Sequence, residues 1–126
     1  MSKDWYEDIL AFHTKFKHHI EPFPRIPPAH VQKLRRKLIR EEVNELLDGI
    51  DDDDLTKVAD GGGDAVVVIL GTMISYGVDL RPIWDAIQES NMAKSPEKRA
   101  DGKTLKPVGW QPPRIKELLD KQRKVS

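Results

Sequence analysis

Carboxylates occupy positions on two helical segments where apolar side chains belong, and this conflict limits the folds open to the chain. The segments read Leu38-Ile39-Arg40-Glu41-Glu42-Val43-Asn44-Glu45-Leu46-Leu47 and Asp60-Gly61-Gly62-Gly63-Asp64-Ala65-Val66-Val67-Val68. Each residue of an α-helix advances about 100°. With Leu34 as origin, Leu38 falls near ~40°, Glu41 near ~340° and Glu45 near ~20°, so both glutamates prolong the stripe that Leu34 and Leu38 begin. Glu42, at about 80°, flanks that stripe. Asp60 and Asp64 stand one turn apart, with Val67, Gly71 and Ile74 within about 40° of Asp60. Carboxylates crowded on an inward face repel one another and lose hydration, a heavy cost unless a cation neutralises them. A hard divalent cation bound by oxygen ligands meets both demands: Mg²⁺ first, with Mn²⁺ as the alternative.

A length of 126 residues suits one domain covering 1–126. Its 21 lysines and arginines cancel its 21 acidic residues, so no basic field invites nucleic acid. The absence of cysteine excludes disulfides and thiolate metal sites. The first ten residues are polar and acidic, unlike a signal peptide, and the greasiest run, 65–74, is short for a bilayer span and contains Gly71 and Thr72. These features predict a soluble, cytoplasmic chain with neither nucleic acid nor membrane as a partner.

Periodicity predicts an all-α helical bundle of four to five helices. Trp5, Ile9, Phe12 and Phe16 mark a helix over 4–19, followed by a proline-stiffened connector through Pro28. A second helix is expected over 29–49, with Ile39, Val43, Leu46 and Ile50 as a further apolar face. A third, over 55–76, is capped from the acidic turn at 51–54 and ended by Gly77. Its run 65–70 is apolar all round and would also suit a buried strand; length and the aspartate spacing favour helix. A fourth over 80–91 starts with Asp79 as cap, 95–112 is a Pro/Gly/Lys loop, and a short helix over 113–121 closes the chain. A helix apolar on every side needs cover, so the four-helix core is expected to be completed by dimerisation, as a homodimer or a dimer of dimers.

Several motifs follow one another along the chain: Glu42-Val43-Asn44-Glu45, Asp64, Gly71-Thr72, Tyr76-Gly77-Val78-Asp79, Ser90-Asn91-Met92-Ala93-Lys94 and Asp101-Gly102-Lys103-Thr104-Leu105-Lys106. Over residues 12–112 this order resembles the all-α nucleoside triphosphate pyrophosphatase superfamily, in the MazG-like branch near dimeric dUTPases and phosphoribosyl-ATP pyrophosphohydrolases. The resemblance implies Mg²⁺-dependent hydrolysis of a (deoxy)nucleoside triphosphate to the monophosphate and pyrophosphate, as nucleotide-pool housecleaning. It assigns metal binding to Glu42, Glu45 and Asp64, and substrate binding to Asn91, Lys94, Asp101 and Lys103. Glu41 is the candidate water-activating base. The chain departs from the pattern at Gly61, where the family's third carboxylate stands, and at Gln88, where a histidine is common. Asp60 is the candidate replacement ligand, and Gly61→Glu is expected to restore the family's donor.

Each residue also has a plainer reading. The glutamates would be a solvated face paired with Lys37, Arg40 or Arg36, and Asp60 a complement to the helix dipole. The triple glycine would be a helix break, or a point of close backbone approach. Asn91, Lys94, Asp101 and Lys103 would be caps and surface charges. His13, His18, His19 and His30 are read as surface or loop residues, and the run 33–37 as a solvated basic flank from which Arg35 or Arg36 reaches a triphosphate. Trp84 and Trp110 suit core or rim, Trp110 also a base stack. The rival functions are a non-catalytic nucleotide- or protein-binding homologue, favoured by Gly61, and a helical scaffold.

Overall fold

The computed structural model describes residues 4–124, and among them are five helices and no strand. They are α1 (Trp5–Phe16), α2 (Ala29–Asp51), α3 (Leu55–Ser75), α4 (Leu80–Met92) and α5 (Ile115–Arg123). The all-α expectation holds, including helix rather than strand for the apolar run of α3. The chain divides into two compact units, Met1–Asp79 and Leu80–Ser126.

In the first unit α3 packs against both α2 and α1. Local chemistry sets the helix ends. Asp4 and Asp54 accept the backbone N–H groups of Glu7 and Lys57 at 3.0 and 3.1 Å, capping α1 and α3. Helix α1 stops earlier than its periodicity suggests because Lys17 turns left-handed, at φ 58°. Helix α3 closes with paired bonds from Gly77 N–H to Ile74 O and Val78 N–H to Met73 O, at 3.0 and 2.9 Å. The proline-rich connector is pinned to this end of α3: Glu21 and Arg25 donate their N–H groups to Ile74 O and Tyr76 O. At Gly77, φ is +71° and the Phe23 carbonyl lies where a side chain would begin, so no other residue fits.

The packed faces differ in phase from the apolar stripes of the sequence. On α2 the buried residues are Val31, Arg35 and Gly49, with Glu42 half-buried among them. They cluster about 80° from Leu34 in helical angle. Leu34 is 46% exposed and Glu41 is exposed, so the stripe that begins at Leu34 runs along the edge of the α3 contact rather than through its centre. On α1 the inward residue is His13, whereas Trp5, Phe12 and Phe16 are exposed. Both differences have one cause: glycines on α3 and α2 let backbones and polar side chains into the contact. A Cβ at Gly49 would stand 2.9 Å from Val58 N, and one at Gly61 2.9 Å from Leu46 Cα. One at Gly71 would meet Arg35 Nη2 and His13 Nε2 at 2.5 and 2.7 Å.

Helix α3 runs unbroken through Gly61, Gly62 and Gly63, so the triple glycine is no break. Counted over its full length, α3 is long and apolar enough to match a membrane span, a property that core helices share. Here α1 and α2 lie against it. In the second unit α4 and α5 are in contact. Residues 95–105 fold back on themselves through Ser95 N–H to Leu105 O (2.8 Å) and Arg99 N–H to Lys103 O (2.7 Å).

Candidate metal centre

Glu42 and Glu45, three residues apart, share one face of α2, and α3 brings Asp64 to them. One carboxylate oxygen from each residue lies within 4.8 Å of the other two. Glu42 and Asp64 are half-buried and Glu45 is exposed, so the group opens to solvent on one side. One of the two Glu42 carboxylate oxygens, Oε2, is shielded from solvent and has no hydrogen-bond partner among the described residues. Burial raises the Glu42 pKa above the ordinary carboxylate range, and the charges of Glu45 and Asp64, a hydrogen bond with Glu45 and the charge of Glu41 push it the same way. Three acidic groups with an orphaned buried oxygen form a donor set that fits a hard cation and otherwise sits badly.

Other candidate ligands stand elsewhere. Asp60 is exposed and outside the group, as a residue one turn closer to the start of α3 that faces solvent. Glu41 is exposed, with Lys37 Nζ 4.0 Å from its Oε1, a surface pairing of small energetic weight. Gly61 is buried, and a Cβ there would stand 2.9 Å from Leu46 Cα and 3.0 Å from Leu46 N on α2. The expectation that Gly61→Glu restores a ligand is therefore corrected: the carboxylate would have to start inside the helix contact.

Four candidate substrate residues lie in the second unit. Asn91 is exposed in the last turn of α4, and its carbonyl accepts the Lys94 N–H at 3.1 Å. Lys94 Nζ sits 5.5 Å from the Trp110 ring centroid, and Lys106 Nζ 4.9 Å from the same ring. Trp110 is held by its indole N–H, which donates to Ser90 O at 2.7 Å. Asp101 braces a turn: it accepts from Arg99 Nε and Nη2 at 3.2 and 2.7 Å and from the Lys103 N–H at 3.1 Å. The Arg99 hydrogen bonds, then that backbone bond, hold its carboxyl below the usual range. Lys103 projects from this turn, exposed.

Two buried polar residues escaped the sequence reading. His13 is 1% exposed and Arg35 6%, whereas the sequence predicts a surface or loop position for the first and a solvated basic flank for the second. Arg35 Nε donates to Thr72 Oγ1 at 3.1 Å and Nη2 to Val68 O at 2.9 Å. His13 Nδ1 lies 3.2 Å from His19 O. Burial lowers the His13 pKa; the His19 carbonyl opposes that, and the Arg35 and His18 charges add to it. Burial also lowers that of Arg35. The available signal was Gly71-Thr72 on α3: a missing side chain beside a hydroxyl leaves room for a guanidinium.

Comparison with known proteins agrees with this geometry. The chain is 30% identical over 110 residues to the uncharacterized protein L479 of Acanthamoeba polyphaga mimivirus. That match takes in 86% of this chain and 41% of the viral protein, so the chain spans about two fifths of that relative. Residues 9–91, which include the whole acidic triad and the α2–α3 pair, match the family described as phosphoribosyl-ATP pyrophosphohydrolase. The chain therefore belongs to the phosphoribosyl-ATP pyrophosphohydrolase family, within the all-α MazG-like pyrophosphatases.

Proposed function

We propose that the protein hydrolyses a (deoxy)nucleoside triphosphate to the monophosphate and pyrophosphate at Glu42, Glu45 and Asp64, with Mg²⁺ as cofactor and nucleotide-pool housecleaning as its role. The observation that carries this reading is the convergence of three carboxylates, one of them, Glu42, holding a shielded oxygen with no hydrogen-bond partner among the described residues. A divalent cation there would neutralise phosphate charge and lower the pKa of bound water.

The residues themselves have separable tasks. Glu42 supplies a buried acceptor with no competing protein donor, so it is ready to face a cation. Glu45 completes the pair from the solvent side, and Asp64 fixes the third direction from α3. The close contact at Gly61 sets how near α3 comes to α2, and so sets the spacing of the set. Glu41, exposed beside Glu42, is the proposed water-activating base, with Lys37 the partner it must leave. Lys94 and Lys103 offer point charges to phosphate, Asn91 offers an amide, and Asp101 holds the turn that presents Lys103. Asp60 is proposed to act on bound water rather than directly, since it stands outside the triad.

The exposed apolar residues of α1 and α3, among them Trp5, Phe16, Val66 and Val67, support a homodimer as the working form, which we propose acts in the cytoplasm. The packing of Gly61 favours one second reading, a homologue that binds nucleotide without turnover, because the donor set is reduced. Incubation with each common nucleoside and deoxynucleoside triphosphate plus Mg²⁺, with pyrophosphate and orthophosphate assayed separately, decides between them. Pyrophosphate release supports hydrolysis at the α-phosphorus; binding without release supports the second reading.

A further inference from the structure

A second polar feature lies two helical turns from the triad, about 10 Å along α2 from Glu42 to Arg35. A cavity of about 280 Å³ opens there, lined by Lys17, His18, His19, His30, Arg35 and Ser75 together with apolar residues of α2. Every ionisable side chain in its wall is basic. Arg35, 6% exposed, has its Nε and Nη2 bonded to Thr72 and Val68, and its third nitrogen, Nη1, is not among the shielded polar atoms that lack a partner, so it keeps access to solvent. No carboxylate pairs with this buried cation among the described residues. Glu21, close in sequence, is engaged by His19 Nε2 at 2.5 Å and by Arg25 Nε at 3.5 Å.

Buried charges are normally paired, and a guanidinium stays charged in a protein, so an unpaired Arg35 beside a basic cavity calls for an anion. A metal does not suit the place. The histidines do not converge as ligands, since Glu42, Glu45 and Asp64 form the group with ligand atoms within 4.8 Å among the described residues, and Lys17 and Arg35 would repel a cation. We propose that this cavity is a binding site for a phosphate group. The Arg35 guanidinium, anchored at Nε and Nη2, supplies the fixed positive charge, and Lys17 and His30 form the exposed rim that draws the anion in. The site is distinct from the triad and does not depend on the proposed reaction.

The test uses the full chain in EDTA, which removes divalent cations from the triad. Thermal unfolding is followed with sodium phosphate, sodium pyrophosphate, a deoxynucleoside monophosphate or the matching free deoxynucleoside, against sodium chloride at equal ionic strength. The informative variant is Lys17→Gly with His30→Glu. Glycine suits the left-handed backbone at position 17 and glutamate suits the first turn of α2, so both changes respect the fold. The general stabilisation that phosphate gives any protein is common to both forms and cancels in the comparison.

Expected is a saturable rise in melting temperature with the phosphate-bearing compounds, weakened about tenfold or more in apparent affinity in the double variant. Glu45→Gln should keep the full response, which separates this site from the triad. Stabilisation by inorganic phosphate and pyrophosphate identifies the free ion as ligand, and stabilisation by the nucleotide alone identifies a nucleotide's phosphate. Equal responses in wild type and double variant would overturn the proposal, as would protection by the free deoxynucleoside equal to that by its monophosphate.

Discussion

Gly61 and Leu46 bring α3 and α2 into backbone contact: a Cβ at position 61 would stand 2.9 Å from Leu46 Cα and 3.0 Å from its nitrogen. Gly62 and Gly63 have open space at the same point. Alanine is the better helix former by about 1 kcal/mol. Gly62→Ala should therefore stabilise by up to about 1 kcal/mol, whereas Gly61→Ala should destabilise by about 1–3 kcal/mol through overpacking. Gly61→Glu should be worse still and leave the triad's metal affinity no stronger. Denaturant melts of the three variants check the order; a stable, tighter-binding Gly61→Glu would show that the helices separate readily.

The shielded Glu42 carboxyl predicts a pH signature without metal. Its pKa is raised in the fold, so the folded state binds the proton more tightly than the unfolded chain. Its penalty on stability is therefore full above the raised value and fades as pH falls toward the ordinary carboxylate value of about 4.3. Glu42→Gln should raise the melting temperature of metal-free protein at pH 8, with the gain shrinking toward pH 5. A pH-independent gain would remove burial and charge repulsion as the cause.

His13 should act in the opposite sense. Its lowered pKa means that the unfolded chain binds the proton more readily. The stability it contributes is complete above about 6.5, the ordinary histidine value, and declines as pH falls below it. His13→Asn should flatten this decline between pH 7.5 and 5.5. Its neighbour is costlier to remove: Arg35→Ala would take away the guanidinium's bonds to Thr72 Oγ1 and Val68 O, leaving only the Thr72 Oγ1 to Val68 O bond of 2.7 Å, at a cost of about 1.5–3 kcal/mol. Titration of stability in the two variants separates proton linkage from packing.

Assembly is testable through the outward faces. Trp5 is 65% exposed, Phe16 56% and Leu55 82%, and Val66, Val67 and Ile69 are also uncovered. Light scattering at micromolar concentration should give at least twice the chain mass, and Val66→Asp should lower it. A stable wild-type monomer would contradict the dimer.

Helix positions were legible because periodicity, caps and Gly77 are local features, and each helix begins or ends within a few residues of its expected place. The set Glu42, Glu45 and Asp64 was legible through the family pattern; helical phase alone pointed to Glu41 and Glu45 and left Glu42 on the flank. The inward faces were less so. The most apolar stripes, Trp5-Phe12-Phe16 on α1 and the one starting at Leu34 on α2, look like core and yet lie on the outside of a single chain. The contact actually used adds glycines, a histidine and an arginine to Val31, Ala65, Leu70 and Ile74, and hydrophobic patterning scores the first three kinds against burial. Its logic lies in pairs across helices, Gly61 with Leu46 and Gly71 with Arg35, which no single segment displays.

The central claim is that Glu42, Glu45 and Asp64 act together as a metal-dependent hydrolytic centre. The direct measurement is Mg²⁺-dependent pyrophosphate release from the preferred triphosphate by wild type, Glu45→Gln and Asp64→Asn, with melting temperature recorded for each. The account predicts release by the wild type, loss of about 100-fold or more in either variant, and melting temperatures equal to or above wild type without metal. Pyrophosphate release by either folded variant near the wild-type rate would contradict it.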